Sequence, residues 1–257
     1  MPVAIVRQPS ASLADCQLSF VERAPIDLDL AHRQHRAYQQ VLVDAGCELI
    51  ELPAQDALPD AVFVEDTALV LDEVAVMTRP GASPRRAEGA TVAEALRKLR
   101  PMLAIEAPGT LDGGDVMRIG RTLHVGESAR SNRAGIEQLR SLLAPLGYTV
   151  VAHTMRGCLH LKSAVTEVAA GTLLINPEWI DRGDFAGYQL IEVDEQEEHA
   201  ANALRIGDSV VYPACFPRTQ EKLLRAGIRV RPVDVSELQK AEGAVTCCSL
   251  VFERASR

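Results

Sequence analysis

The chain has 257 residues, 47% apolar and 24% charged, ordinary proportions for a globular protein of one large domain or two small ones. Its formal net charge of -8 opposes a phosphate backbone, so nucleic acid is disfavoured as a partner and a small cationic ligand is favoured. No apolar run reaches the roughly 18 residues of a membrane span, MPVAIVRQPS lacks the apolar stretch of a signal peptide, and the six cysteines lack disulfide-scaffold density and zinc spacing, so a soluble cytoplasmic protein with reduced thiols is expected.

The first predicted elements are a strand at PVAIVRQ, a helix at LDLAHRQHRAYQQVLVDAG and a strand at CELIELPA. Within that helix, His32 and His35 read as part of a polar face. Next come two β-rich runs, AVFVEDTALV and EVAVMTRPG, then a helix at PRRAEGATVAEALRKL and a strand at MLAIEAP. The order repeats with LDGGDVMRI, a turn at Gly120, RTLHVG, the helix ARSNRAGIEQLRSLLAPLG and the strand YTVVAH. That helix carries Ile136, Leu139, Leu142 and Leu143 at helical spacing and stops at Gly147. A further copy runs through CLHLKSAVTEV, a turn at Gly171, TLLINPEW, a weaker helix and YQLIEV. Another comprises NALRI, DSVVYP, the helical RTQEKLLRAG and IRVRPV. The last strand, AVTCCSLVFER, has no partner after it and pairs with PVAIVRQ, so both termini close one unit.

Five ββαβ units result, in a single domain over residues 1–257. A hairpin precedes each helix and no GxGxxG or GxxxxGK[ST] follows a strand, which excludes a doubly wound nucleotide-binding sheet. Arranged in a ring, like units bring the starts of their first strands to one axis. Those starts hold the stretch from Asp60 to Asp66, then Asp112, His160, Asn202 and Cys247. In TLDGGDV the two glycines allow close backbone approach at a turn or bulge, and in LPDAVFVEDTALV the acids flank and interrupt an apolar strand.

A thiol of ordinary pKa needs a neighbour to act as a nucleophile, and a histidine held by a carboxylate can carry its proton, which suits Cys247, His160 and Asp112. The same types also suit two small buried hydrophobes and a satisfied strand histidine. Strand alternation puts His160 and Lys162 of LHLK on one face, and likewise separates Cys247 from Cys248. His199 reads as part of an acidic exposed stretch and Trp179 as packing.

The segments LPDAVFVEDTALV, RPGASPRR, TLDGGDVMRIG, VGESARSN, LHLKS, RIGDSVVYP and TCCS, in this order, resemble the dimethylarginine dimethylaminohydrolase family of the guanidine-modifying superfamily. The resemblance spans about residue 58 to 250 and implies a pentein, a five-unit α/β-propeller with pseudo-fivefold symmetry. It implies Cys247 as nucleophile, His160 as general acid and base, and Asp112 as the carboxylate partner of His160. It further implies that Asp60 and Asp66 hold a substrate guanidinium with Glu65 beside them, that Arg85 and Arg130 bind the amino-acid end, and that Leu18 belongs to a lid. No metal or organic cofactor is implied, and a homodimer stays open as the oligomeric state. The implied reaction turns methylated arginine into citrulline and an amine. Related arginine deiminases carry Asp two residues after the histidine, where this chain has Lys162. A propeller without catalysis, like that of a ribosome anti-association factor, would need neither the thiol nor the histidine.

Overall fold

A computed structural model describes residues 1–254. In chain order its strands and helices begin with β1 (Pro2–Arg7), α1 (Leu28–Asp44), β2 (Glu48–Leu52), β3 (Ala68–Val70), β4 (Ala75–Met77), α2 (Gly89–Leu96) and β5 (Met102–Ala104). They continue with β6 (Val116–Ile119), β7 (Thr122–Glu127), α3 (Arg133–Leu143), β8 (Thr149–Thr154), the single helical turn α4 (Leu161–Ala164), β9 (Val165–Ala169), β10 (Thr172–Ile175) and β11 (Gln189–Glu192). The last are β12 (Leu204–Ile206), β13 (Ser209–Pro213), α5 (Pro217–Arg225), β14 (Arg229–Val233), α6 (Ser236–Gln239) and β15 (Ser249–Glu253).

The strands form five separate three-stranded sheets, ordered β3-β4-β5, β6-β7-β8, β9-β10-β11, β12-β13-β14 and β15-β1-β2. In each, the first two strands pair antiparallel and the last two pair parallel, as a hairpin followed by a helical crossover requires. The chain closes on itself where β1 pairs with β15, from Pro2 opposite Glu253 to Val6 opposite Ser249. The five ββαβ units expected from the sequence are therefore present, and the fold is the pentein α/β-propeller. In the unit with the weaker helix, the crossover is a single 3-10 turn, Arg182–Phe185.

The burial of the strands follows from their rank in each sheet. The middle strands β10 and β13 are wholly buried and β1 nearly so, which accounts for their unbroken apolar runs. The last strands lie at the rim and leave alternate or consecutive residues in solvent. First strands of neighbouring units touch, β15 with β3, β6 with β9 and β9 with β12, and so put their leading turns at the centre.

Four local expectations are corrected. The approach to β3 is a turn and a 3-10 helix, Val64–Thr67, so the acids of VFVEDT do not interrupt a strand. His160 caps α4 in extended conformation, with the helix carrying Lys162, so LHLK is not a strand. Cys247 and Cys248 stand in a turn directly before β15. His35 is not on a polar face: at 1% exposure it lies in the buried stripe of α1 with Ala31, Tyr38 and Leu42, and burial lowers its pKa to about 4. By contrast, His199 is exposed and Trp179 is packed, as the sequence suggests.

The helix α1 begins at Asp27, whose side chain accepts from Leu30 N at 2.9 Å, and it secures the turn before β15. Tyr38 donates its hydroxyl proton to Val245 O at 2.7 Å and lies 2.7 Å from Ser249 Oγ, with no exposure to solvent. Tyr38→Phe leaves the Val245 carbonyl without that donor in a closed interior, and is expected to lower unfolding free energy by about 1–3 kcal/mol in urea titration.

Candidate active site

Three of the five central turns, those before β3, β9 and β15, meet around one small cavity of about 20 Å³. Asp60, Asp66, Arg85, Arg130, His160 and Cys247 line it, together with Gln17, Phe63, Leu159, Ala241 and Glu242, which sequence reasoning did not single out. Cys247 is 9% exposed and His160 4%. The neighbouring Cys248 has no exposure and points its thiol to Ala244 O at 3.3 Å.

The glycines of DGGD let these turns come together. A Cβ on Gly113 would stand 1.9 Å from Glu65 O, and one on Gly114 would stand 2.5 Å from His160 Nδ1 and 2.8 Å from Asp66 Oδ1. Their absence lets Gly114 N donate to Asp66 Oδ1 at 2.9 Å and lets the imidazole lie against the backbone. Asp112, immediately before, has no exposure. Its Oδ2 is 3.1 Å from His160 Nε2, while its Oδ1 accepts from Gly81 N at 2.9 Å.

Charges alternate through the site. Arg85 Nη1 donates to Asp66 Oδ2 at 2.6 Å, and its Nε and Nη2 engage Glu88, the shorter bond being 2.9 Å. Nη2 also reaches the carbonyls of Asp60 and Phe63, so most of the Arg85 fork is occupied by protein. Arg130 is different. Its Nη1 stands 3.6 Å from Asp112 Oδ2 and is buried without a hydrogen-bond partner among the described residues. The loop that carries Arg130 is fixed by Asn132, which caps α3 by accepting from Gly135 N at 2.8 Å and also accepts from Thr110 N at 3.0 Å.

Glu65 and Asp60 differ from Asp66 in their surroundings. Glu65 accepts from Lys162 Nζ at 2.6 Å and from Thr246 Oγ1 at 2.8 Å, and with them it lines a separate cavity of about 530 Å³ among the first strands. Its backbone N donates to Cys247 O at 3.2 Å. Asp60 accepts from Gln17 N at 3.1 Å and 3.2 Å, and Leu18, half-buried beside it in sequence, packs on the cluster that holds both central cysteines. Asn202, another residue at a strand start, clasps Thr246 from both sides, accepting from its N at 3.1 Å and donating to its Oγ1 at 2.9 Å. It thereby fixes the turn before Cys247.

These contacts set the proton affinities. Burial would lower the pKa of His160, but Asp66, Asp115 and Asp112 outweigh it and raise it to about 9. Burial would raise Asp66, yet the His160 and Arg85 cations hold it well below the usual carboxylate range. Burial followed by the charges of Glu65 and Asp66 pushes the Cys247 thiol up to about 12. Asp115, also missed from the sequence, rises to about 6 through burial, even though Ser128 and Ser131 each donate to it at 2.6 Å. It accepts from Leu161 N at 3.0 Å and so ties the His160 turn to the Arg130 loop. Such acids are hard to find from sequence, because nothing in DGGD distinguishes Asp115 from Asp112 except which side of the glycine pair it occupies.

One donor atom each of Asp66, Asp112 and His160 lies within 4.8 Å of the others. His160 and Asp66 already face opposite charges of the protein. The arrangement is a thiol and an imidazole on one pocket walled by carboxylates, with Arg130 at its side, whose Nη1 has no hydrogen-bond partner among the described residues.

A family model described as eukaryotic N,N dimethylarginine dimethylhydrolase matches residues 4–253. The chain is 42% identical over 249 residues to N(G),N(G)-dimethylarginine dimethylaminohydrolase of Streptomyces coelicolor, covering 96% of this chain and 95% of the relative. It is 38% identical over 250 residues to the enzyme of the same name from Pseudomonas aeruginosa, covering 96% and 98%. A cysteine-to-serine mutant of the Pseudomonas aeruginosa protein, solved in complex with citrulline, superposes with a TM-score of 0.93 at 37% identity over 97% of this chain and 98% of that one. The N-terminal domain of ArgZ shares the fold, with a TM-score of 0.88 at 22% identity over 99% of each chain. By these matches the chain belongs to the dimethylarginine dimethylaminohydrolase family.

Proposed function

We infer that the protein hydrolyses asymmetric dimethylarginine to citrulline and dimethylamine, with monomethylarginine as a second substrate. The observation that carries this reading is a buried thiol and a buried imidazole on one cavity, with Asp60 and Asp66 in its wall, in a member of this family. In this reading Asp66 and Asp60 receive the cationic guanidinium and Cys247 attacks its carbon. Arg130, whose Nη1 has no partner among the described residues, takes the α-carboxylate with Arg85 as its neighbour. Glu65, engaged by Lys162, contributes through its charge and by holding the Cys247 turn.

A thiol pKa pushed up to about 12 by burial, Glu65 and Asp66 favours the protonated, weakly nucleophilic form at neutral pH. A bound guanidinium opposes that field by placing positive charge beside Asp66 and Cys247, and favours the thiolate, whose proton leaves to solvent because His160 already holds its own. Sulfur then adds to the guanidinium carbon and the carbon–nitrogen bond to dimethylamine breaks as His160 gives that nitrogen its proton. An S-alkylthiouronium remains on Cys247. Water, losing a proton to the now neutral His160, adds to the same carbon, and cleavage of the carbon–sulfur bond releases citrulline and restores the thiol site. A cytoplasmic location belongs to the same reading and is supported by six unpaired cysteines, since oxidation of Cys247 would end turnover.

The test is citrulline release from asymmetric dimethylarginine and from arginine in parallel. Release from the methylated substrate is expected to exceed that from arginine, and Cys247→Ser is expected to abolish it, falling by at least about 10³-fold. Cys248→Ser is expected to retain activity within about threefold and to cost at most about 1 kcal/mol of stability. Citrulline chiefly from arginine would assign a deiminase instead.

A pH series tests the acid. His160 holds its proton until about pH 9 because carboxylates favour its charged form, so kcat/KM is expected to fall as pH rises through that value. Asp112→Asn removes one of those charges, lowers the imidazole pKa and moves the alkaline limb down by about one pH unit or more. An unmoved limb would show that Asp112 does not set the acidity of His160.

A further inference from the structure

Residues Gln17 to Ile26 form a loop without strand or helix, and its first residue, Gln17, lines the cavity of Cys247. Two carboxylates from that cavity's wall grip the loop by its backbone. Asp60 takes the N–H of Gln17, as described above. Glu242 Oε1 accepts from three consecutive backbone groups: Ser19 N at 2.7 Å, Phe20 N, and Val21 N at 2.9 Å. Arg130 Nη2 adds a side-chain contact at 3.5 Å from Ser19 Oγ, and Lys240 Nζ donates to Pro25 O at 3.0 Å further along the loop.

The backbone of Glu242 is unusual in its own right. Its φ of 58° is the one positive value outside glycine among the described residues, and a charged residue with a Cβ is a poor occupant of that conformation. The following glycine cannot take over the role of a larger residue, since a Cβ on Gly243 would stand 2.1 Å from the Phe63 ring. Glu242 Oε2 is buried and has no hydrogen-bond partner among the described residues. A side chain therefore sits in a strained turn, five residues before the thiol, with one oxygen wholly committed to the loop.

We propose that Glu242 is a positioning residue of the reaction, the latch that holds residues 19–21 closed over the thiol. This rests on the reading of the cavity as a methylarginine site. A cavity of about 20 Å³ holds roughly one water, far less than a substrate of arginine's size, so the loop lifts for entry. Once the substrate is seated the loop returns, and the Glu242 carboxylate is the acceptor to which it returns. The charge matters because one oxygen serves three donors, which a neutral amide oxygen does less well. The latch and the Cys247 turn are joined by Gly243 to Thr246, so the closed loop and the nucleophile share one rigid segment.

The test uses Glu242→Gly, Glu242→Gln and the unaltered protein. Glu242→Gly relieves the positive φ, so its thermal midpoint is expected to be unchanged or higher. Backbone amide exchange at Ser19, Phe20 and Val21 is expected to accelerate by about tenfold or more in the free protein, with Gln17 and the strands unaffected. KM for asymmetric dimethylarginine is expected to rise about fivefold with kcat within about twofold, and Glu242→Gln to restore part of both losses. Unchanged amide exchange in Glu242→Gly would overturn the latch. Faster exchange with an unchanged or lower KM would overturn its role in positioning substrate. A lowered thermal midpoint with exchange raised throughout the chain would make Glu242 structural and overturn the proposal too. The exchange measurement needs no turnover, so absence of citrulline from the unaltered protein would refute the functional reading separately.

Discussion

A buried chain of alternating charge organises the centre of this protein. It runs from Glu88 through Arg85, Asp66, His160 and Asp112 to Arg130, with successive separations of 2.9, 2.6, 3.9, 3.1 and 3.6 Å. None of these groups is more than 7% exposed, and none would remain charged there alone. Each member comes from a different turn or loop, apart from Arg85 and Glu88, so the chain forms only when the three neighbouring units that begin with β3, β6 and β9 pack together. Burial of these charges and assembly of this part of the site are consequences of one another.

The same chain explains how acid and nucleophile coexist without neutralising each other. Carboxylates on both sides raise the affinity of His160 for its proton, and the same negative field raises that of Cys247. Burial, Glu65 and Asp66 all favour the protonated form of the Cys247 thiol. In the proposed reaction the substrate guanidinium supplies the positive charge that favours the thiolate, in a cavity that Phe63, Leu159 and Gln17 also line.

The end of the chain at Glu88 shows the cost of the arrangement. Burial raises its pKa to about 7 despite the adjacent Arg85, so the last carboxylate is only partly ionised near neutrality. Arg85 nonetheless stays charged and fixed, since Asp66 holds it at 2.6 Å and two backbone carbonyls take its other donors. Arg130, at the opposite end, has one Nη group without a hydrogen-bond partner among the described residues. Two arginines that look alike in SPRR and ESARSN thus differ in their surroundings: the donors of Arg85 are largely taken by protein, whereas Arg130 Nη1 has only the charge of Asp112 at 3.6 Å.

The sequence by itself determined the repeat and the positions that meet. Five hairpin–helix–strand units were visible because apolar runs, turn glycines and helical spacing are local, and ring closure then placed Asp60 to Asp66, Asp112, His160, Asn202 and Cys247 at the strand starts. The local conformation at those starts was not legible. A run such as AVFVEDT is apolar enough for a strand, yet it bends into a 3-10 turn because its backbone must meet Gly113 and its acids must meet Arg85 and His160. Likewise His35 reads as polar, but the packing of α1 against the closing unit buries it. Only the tertiary structure decided that Asp115 ties two loops, that Glu65 faces Lys162, and that Glu242 holds the loop over the cavity. Those roles depend on partners 46, 97 and 221 residues away in the chain, and no local pattern encodes which distant backbone a carboxylate will find.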